Sequence, residues 1–261
     1  MHGTPEQFYD QQASSYDEFY DTLRFKLYED ITWDNIQRFL PSKGDILDAG
    51  GGTGRWAERL LKLGHHMVLT DISQEMLNVA KEKLASMNLL DQVEFLKLDI
   101  CEMSCLEDNR FDMALAQGDP VSYCSDAKKA LAELTRVTKP GGYVIVSVDN
   151  SLTLIYHPLA RGNFEEVENV LRTKQGIFRN PQIDVEFPFR GFHPEELRNL
   201  LEASGLSFVR LIGKTVLPMH LIEPLLSNEK SYSQVLDLCI QLAEDSYRFG
   251  LAGHLEIVAR K

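Results

Sequence analysis

Apolar runs of strand length alternate with amphipathic stretches through the first two thirds of the chain. Clustered β-branched and other apolar residues predict buried strands. Seven strands are predicted: around Ile46 and Leu47, at 65–71, 93–99 and 111–117, from the Pro140–Gly142 break to 150, and at 206–213 and 254–260.

Helices are predicted between these strands, because apolar residues there recur every three or four positions. Ser73 suits a helix N-cap, and Gly64, Pro140 and Gly205 suit helix ends. The recurring apolar positions are Ala57, Leu60, Leu61, Met76, Ala80, Leu84, Met87, Ala130, Leu131, Leu134, Val137, Leu197, Leu200 and Leu201. Strands that alternate with helices form right-handed βαβ units, which predicts an α/β fold with a doubly wound, mostly parallel sheet.

Three segments extend the core at 44–150 within what we expect to be a single domain covering 1–261. Residues 1–43 are predicted to form a helical arm, and they contain Phe8, Tyr9, Tyr16, Phe19, Tyr20, Phe25, Tyr28, Trp33 and Phe39. Residues 151–190 follow the fifth strand, and residues 214–252 separate the last two. Loops this long in a compact domain are usually functional, so both insertions are expected to be helical lids over an acceptor.

A glycine-rich turn lies between the first strand and the first helix, with glycines at 50, 51, 52 and 54. Glycines let the backbone approach a ligand, and the helix behind them presents free N–H groups. The dinucleotide fingerprint would place its third glycine where this chain has Arg55. Asp48 would repel a pyrophosphate but would suit a cationic ligand. We therefore expect a nucleoside carrying an amine and a sulfonium, and alanine should be tolerated better at Gly51 than at Gly50 or Gly52.

Acidic residues end the second and third predicted strands, at Asp71 and Asp99. The carboxyl ends of parallel strands at a topological switch point are where α/β sheets bind ligands. Asp71 is suited to the paired hydroxyls of a ribose, and Asp99 to the exocyclic amine of adenine.

These motifs, in this order, resemble the class I S-adenosylmethionine (SAM)-dependent methyltransferases, in particular the ubiquinone/menaquinone type and other small-molecule members. The resemblance covers roughly residues 8–150, and more weakly 191–213 and 253–260. It implies strand order 3-2-1-4-5-7-6 with the last strand antiparallel. It also implies methyl transfer from SAM to a small-molecule acceptor by in-line displacement, leaving S-adenosylhomocysteine.

The resemblance also implies which residues form the site. Cofactor contacts are expected from Tyr16, Asp48, Gly50, Gly52, Asp71, Ile72, Asp99, Ile100 and Gln117. Tyr16 would reach the methionine carboxylate from the arm, and Gln117 would lie beside the sulfonium. A general base is optional, because the leaving group is already activated. The candidate we favour is His157, ahead of Tyr123, Asp119, His193 and His220.

Three other classes are alternatives: an aminopropyltransferase of the spermidine-synthase type, a non-catalytic SAM-binding regulatory protein, and a nicotinamide dehydrogenase. Asp119 alone is thin support for a polyamine site, and a bare binding module has no need of acceptor-side insertions. The segment 117–123 has one proline and lacks the Asn/Asp-Pro-Pro-Tyr signature of DNA and protein-glutamine methylators. The methylated atom and the oligomeric state are left open.

The composition indicates which binding partners and which cellular compartment to expect. With 27 Lys and Arg against 39 Asp and Glu the formal charge is −12, which opposes nucleic-acid binding. No run approaches the roughly 18 apolar residues of a membrane span, and the first residues do not form a leader, so we expect a cytoplasmic protein. The four cysteines suggest neither a disulfide framework nor a metal site.

Overall fold

A seven-stranded sheet lies at the centre of the computed structural model, which describes residues 3–180 and 183–261. The strand order is β3-β2-β1-β4-β5-β9-β8, and β9 alone runs antiparallel to its neighbours β5 and β8. The strands are β1 Asp45–Ala49, β2 His66–Asp71, β3 Val93–Lys97, β4 Phe111–Ala116, β5 Thr138–Asp149, β8 Ser207–Lys214 and β9 His254–Arg260. The predicted fold class and strand order are confirmed.

Helices cover both faces of the sheet. They are α1 Pro5–Gln12, α2 Tyr16–Tyr20, α3 Leu23–Gln37, α4 Arg55–Lys62, α5 Gln74–Ser86, α6 Pro120–Tyr123, α7 Ala127–Val137, α8 Tyr156–Ala160, α9 Phe164–Thr173, α10 Pro194–Ala203, α11 Met219–Ile222 and α12 Glu229–Leu242. Alternate residues of one strand face opposite layers: Ala114 packs with α7 and α10, and Met113 with α4 and α5. This alternation places one apolar core on each face.

The first insertion, 151–190, contains a β-hairpin that the sequence analysis did not predict. It consists of β6 Gln175–Asn180 and β7 Ile183–Arg190, which pair with each other outside the main sheet. Residues 183–190 alternate apolar and polar side chains, the pattern of a strand with one buried face. The helical patch expected around 167–171 is present as part of α9.

The second insertion, 214–252, forms a packing layer against α3. Ile222, Val235 and Cys239 are buried together with Leu27 and Ile31 of that helix. None of the described residues of this segment lines the large cavity at the carboxyl edge of the sheet. The expectation that it borders the acceptor is therefore not met, because its apolar face is covered by the N-terminal helices.

The N-terminal arm consists of three helices that contact the glycine turn and the hairpin. The carboxylate of Asp17 accepts hydrogen bonds from Thr53 Oγ1 (2.6 Å) and Lys83 Nζ (2.7 Å). Arg55 donates to Glu29 at 2.6 Å. Phe8 packs against the aromatic face of the hairpin. These contacts hold the arm across the carboxyl edge of the sheet.

In the described part of the chain, no helix is both long and apolar enough to cross a membrane.

Candidate active site

A cavity of about 950 Å³ opens at the carboxyl edge of the sheet, between the glycine turn, the arm and the hairpin. Eight of the predicted cofactor residues line it: Tyr16, Gly50, Gly52, Asp71, Ile72, Asp99, Ile100 and Gln117. The opposite wall is formed by residues 120–128 after β4 and by residues 187–190 of the hairpin. The fold thus brings strand ends and both covering segments to one space.

The glycines of the turn differ in their surroundings. The Gly50 and Gly51 N–H groups both donate to the Thr70 carbonyl, at 2.8 and 2.9 Å, which joins the turn to β2. A Cβ on Gly52 would meet no protein atom within 4 Å, although its φ of +54° is strained for any other residue. At this position the backbone itself faces the cavity.

Gly51 is more constrained than expected. A Cβ there would lie 2.7 Å from Asp48 Oδ2 and 3.0 Å from Leu69 Cγ. Alanine at Gly51 would therefore strain the turn against the Asp48 carboxyl group. Alanine at Gly50 would also be strained, because its Cβ would lie 2.7 Å from Pro120 Cβ at a φ of +72°. The milder effect expected of Gly51→Ala on cofactor binding stays a prediction.

Asp48 itself lies behind the turn, outside the cavity lining, so the expected direct cofactor contact is not present. Neither carboxyl oxygen has a hydrogen-bond partner among the described residues. Burial, followed by the charge of Asp71, raises its pKa to about 7. A carboxyl group with that pKa is substantially protonated near neutral pH. Asp48 thus brings less negative charge to the turn than the sequence suggested.

Asp71 faces the cavity from the end of β2. Its Oδ2 accepts the Gly52 N–H at 2.8 Å, and its Oδ1 accepts the Ser73 N–H at 2.8 Å. Burial raises its pKa to about 6, although the backbone donors act in the opposite direction. These two bonds hold the carboxylate in one orientation, with further lone pairs left to accept from a ligand.

Asp99 and Gln117 lie at the ends of the neighbouring segments. Asp99 Oδ1 accepts the Cys101 N–H at 2.8 Å, which closes the loop after β3. Gln117 Oε1 accepts from Lys214 Nζ at 3.0 Å, and Lys214 forms a fully buried ion pair with Glu256 at 2.8 Å. Gln117 Nε2 is buried with no partner among the described residues. The amide is thus held through its oxygen, and its nitrogen is a spare donor.

Tyr16, from which a cofactor contact is expected, lies in the cavity wall. Its ring contacts Tyr20, with ring centroids 4.6 Å apart. Burial, with the neighbouring Tyr20 and Tyr9, raises the Tyr16 pKa well above 10, so its hydroxyl is a hydrogen-bond donor at neutral pH.

His157 is not in the site. It lies in α8, is exposed, and is absent from the cavity lining, so the structure does not support the predicted catalytic role. The chain turns into a short helix after β5, and this helix buries Pro158 and directs His157 to solvent.

Two groups of residues near the cavity were predicted only in part: Asp119 was a candidate base, but its neighbours Asp149 and His254 were not. The hairpin aromatics Phe187 and Phe189 line the cavity, and the alternation of 183–190 could have revealed their strand. Asp119, Asp149 and His254 meet at the same edge, and His254 was predicted only as the start of the last strand. No local pattern could have paired it with Asp119, since 135 positions separate the two in the chain.

Comparison with known proteins agrees with this geometry. Residues 46–142 match a family model described as a methyltransferase domain, and this segment carries the glycine turn, Asp71 and Asp99. These findings support a class I SAM-dependent methyltransferase. This methyltransferase is 24% identical over 246 residues to tRNA 5-carboxymethoxyuridine methyltransferase of Escherichia coli K12, covering 93% of this chain and 91% of the relative.

Two further likenesses differ in extent. The ubiquinone/menaquinone biosynthesis C-methyltransferase UbiE of Francisella tularensis subsp. novicida is 33% identical over 139 residues, about half of each chain (51% here, 54% there). A SAM-dependent methyltransferase structure from Thermotoga maritima shares the fold, with a TM-score of 0.61 and 20% identity over 98% of this chain and 99% of that one.

The cofactor of this methyltransferase is SAM, and the residues present fit it. The buried carboxylate of Asp71 can accept from vicinal hydroxyls, and the open backbone at Gly52 leaves room for the methionine end. Gln117 also lines this space, and its Nε2 has no hydrogen-bond partner among the described residues.

Proposed function

We propose that this enzyme methylates a small molecule that shares the large cavity with SAM. One observation carries the proposal: strand-end residues suited to the cofactor and aromatic residues of the hairpin line the same space of about 950 Å³. Ligand pockets usually span about 300–1,000 Å³, so this volume can hold a cofactor together with a modest acceptor.

The cofactor half lies over the ends of β1, β2 and β3. Asp71 accepts from the ribose hydroxyls, with Ile72 packed beside it. Asp99 and the Ile100 main chain read the adenine. The turn at Gly50 and Gly52 receives the methionine end, with Tyr16 above it and Gln117 toward the sulfonium. Asp48 acts only indirectly, by supporting the turn from behind.

The acceptor half lies over the end of β4. Tyr123 follows β4, Phe187 and Phe189 come from the hairpin, and Tyr9 comes from the arm. These rings also pack on one another: the Tyr123 and Phe187 centroids are 5.7 Å apart. An aromatic wall of this kind favours an acceptor with an apolar or planar body.

Alignment and exclusion of water carry most of the catalysis. Bound SAM supplies a methyl group on a sulfonium, so the acceptor side needs mainly a nucleophile held in line. Positioning of this kind can contribute roughly 7–11 kcal/mol to rate acceleration. The arm and the hairpin pack on each other beside the cavity, because Phe8 of the arm contacts Phe178 and Phe187 of the hairpin edge-on.

Transfer RNA is the second candidate acceptor, because the E. coli relative acts on tRNA. A nucleotide acceptor would have to be turned out of its stack to reach the cavity, at a cost of a few kcal/mol. Affinity for RNA is largely built on neutralised phosphates, and the chain carries a formal charge of −12. A small acceptor is therefore the better-supported proposal.

The test is methyl transfer from radiolabelled SAM to two purified fractions. One fraction is an ultrafiltered metabolite extract, and the other is total tRNA from a strain lacking its tRNA 5-carboxymethoxyuridine methyltransferase. We expect label in the metabolite fraction, lost in Asp71→Ala and retained in the exposed-site control Asp237→Ala. Label confined to tRNA would replace the proposed acceptor class with RNA.

A further inference from the structure

Three ionisable side chains meet beside the acceptor half of the cavity, each from a different element. Asp119 follows β4, Asp149 ends β5, and His254 begins β9. His254 Nδ1 lies 2.9 Å from Asp119 Oδ2 and 4.0 Å from Asp149 Oδ1. The antiparallel pairing of β5 with β9 places His254 directly opposite Asp149.

Asp119 is held in a single orientation. Its backbone is in the left-handed region, with φ +67°, and the Ser147 hydroxyl is hydrogen-bonded to its Oδ1. A carboxylate at Nδ1 favours the tautomer that carries its proton on that nitrogen. The basic lone pair of the imidazole is then on Nε2.

About a third of the His254 side chain (32%) is exposed, whereas Nδ1, the ring nitrogen beside Asp119, is buried. A carboxylate that orients a histidine whose other nitrogen is free is the arrangement of a general base.

The cluster adjoins the acceptor half rather than the cofactor half. Asp119, Asp149 and His254 are not themselves among the residues that line the cavity, but Gly118 and Pro120, on either side of Asp119, are. So is Ser122, whose Oγ accepts the Asp149 N–H at 2.8 Å. In the sheet, β9 lies next to β5, on the side away from the strands that hold the cofactor.

We propose that His254 is the general base of this enzyme, positioned by Asp119, and that the acceptor is a molecule methylated at a hydroxyl or amine group. The proposal rests on the proposed function and deepens it by naming the substrate class. The acceptor O–H or N–H proton passes to Nε2, and the electron pair left behind forms the new bond to the methyl carbon. The carbon–sulfur bond breaks with its electron pair on sulfur, so charge and atoms balance.

The charges around the imidazole set the pH dependence. Burial opposes protonation of His254, but Asp119 and Asp149 outweigh it and raise the pKa above the usual 6.5. Lys214 of β8 and the Tyr28 ring of α3 also face the imidazole. The base must be neutral, so the rate rises with pH through a value above 6.5. Asp149, whose pKa burial and Asp119 raise to about 7, titrates in the same range.

The experiment measures methyl transfer from SAM to catechol, tyramine and, as an acceptor without a proton to lose, dimethyl sulfide. The variants are His254→Asn, Asp119→Asn and the exposed-histidine control His157→Asn. We expect transfer to a protic probe, a loss of about 10²- to 10⁴-fold in kcat in His254→Asn, and little change in His157→Asn. S-adenosylhomocysteine affinity, from calorimetry, should be unchanged in all three.

Two further readouts separate a catalytic role from a structural one. The ascending limb of the pH–rate profile should vanish in His254→Asn and move to lower pH in Asp119→Asn. NMR titration of the His254 imidazole in the free protein should show its pKa above 6.5 and a fall in Asp119→Asn.

Three outcomes would overturn the inference: a loss of kcat below tenfold in His254→Asn, methyl transfer to dimethyl sulfide only, or a His254 pKa that is unchanged in Asp119→Asn. If tRNA alone is methylated, the proposed function fails, and the His254→Asn loss measured on tRNA still decides the role of the base. Transfer to no acceptor at all would overturn both proposals.

Discussion

Replacing Asp71 by alanine removes the carboxylate that we assign to the cofactor ribose. In the folded protein this group accepts backbone hydrogen bonds from Gly52 and Ser73, both at 2.8 Å. Hydrogen bonds to charged groups contribute roughly 1.5–3 kcal/mol, and every 1.4 kcal/mol is about a tenfold change in affinity. Loss of one such bond to the ribose therefore weakens SAM binding roughly ten- to hundredfold.

The pH dependence sharpens this prediction. Burial raises the Asp71 pKa to about 6, so a carboxylate is present above that pH and a weaker acceptor below it. Wild-type affinity for SAM should fall as the pH drops through 6. Asp71→Ala should lack most of this fall. Isothermal titration calorimetry across this range measures both effects.

Asp237→Ala is the matched control, because Asp237 is an exposed acid on α12, outside the cavity lining. Circular dichroism and a urea titration check that the Asp71→Ala fold is intact. SAM affinity within threefold of wild type in a folded Asp71→Ala protein would refute the assignment of this residue to the ribose.

Three other changes probe the turn and the acceptor wall. Gly51→Ala should lower the urea midpoint, because the added Cβ meets Asp48, whereas Gly52→Ala should weaken SAM binding more than it lowers stability. Equal changes of urea midpoint and SAM affinity in the two variants would refute this distinction. The folded-state pKa of Asp48 is raised to about 7, so its contribution to the free energy of unfolding is present at low pH and is lost as the pH rises from about 4 through 7. In Asp48→Asn the loss over this pH range should be smaller by a few kcal/mol, at about 1.4 kcal/mol per pKa unit; stability–pH curves parallel to those of the wild type would contradict this. Phe189→Ala should raise the acceptor KM severalfold with SAM affinity unchanged, in contrast to the exposed control Leu238→Ala; a selective loss of SAM binding would make the hairpin a cofactor clamp.

The arrangement of the cofactor half was predictable because it depends on short-range signals. Apolar runs ending in Asp71 and Asp99 predicted strands, and right-handed crossovers bring such strand ends to one edge of a sheet. Even so, strand alternation buried Asp48 beneath Gly51, and no spacing rule could show whether that side chain faces the ligand or the core.

The acceptor half was less predictable. The hairpin left a readable alternation over 183–190, but Pro188 within it weakened the evidence for a strand, since proline in a sheet is confined to edges and bulges. His157 seemed suitable because it follows β5, yet its orientation is set by the short helix α8, which directs it to solvent.

The sequence by itself determined the class of fold and the cofactor, and it predicted most of the residues that we assign to the cofactor, because periodicity and glycine spacing act over a few residues of chain. Only the tertiary structure decided what surrounds the acceptor. Asp119, Asp149 and His254 meet because the last strand enters the sheet antiparallel beside β5, a pairing that rests on contacts between residues more than 100 positions apart.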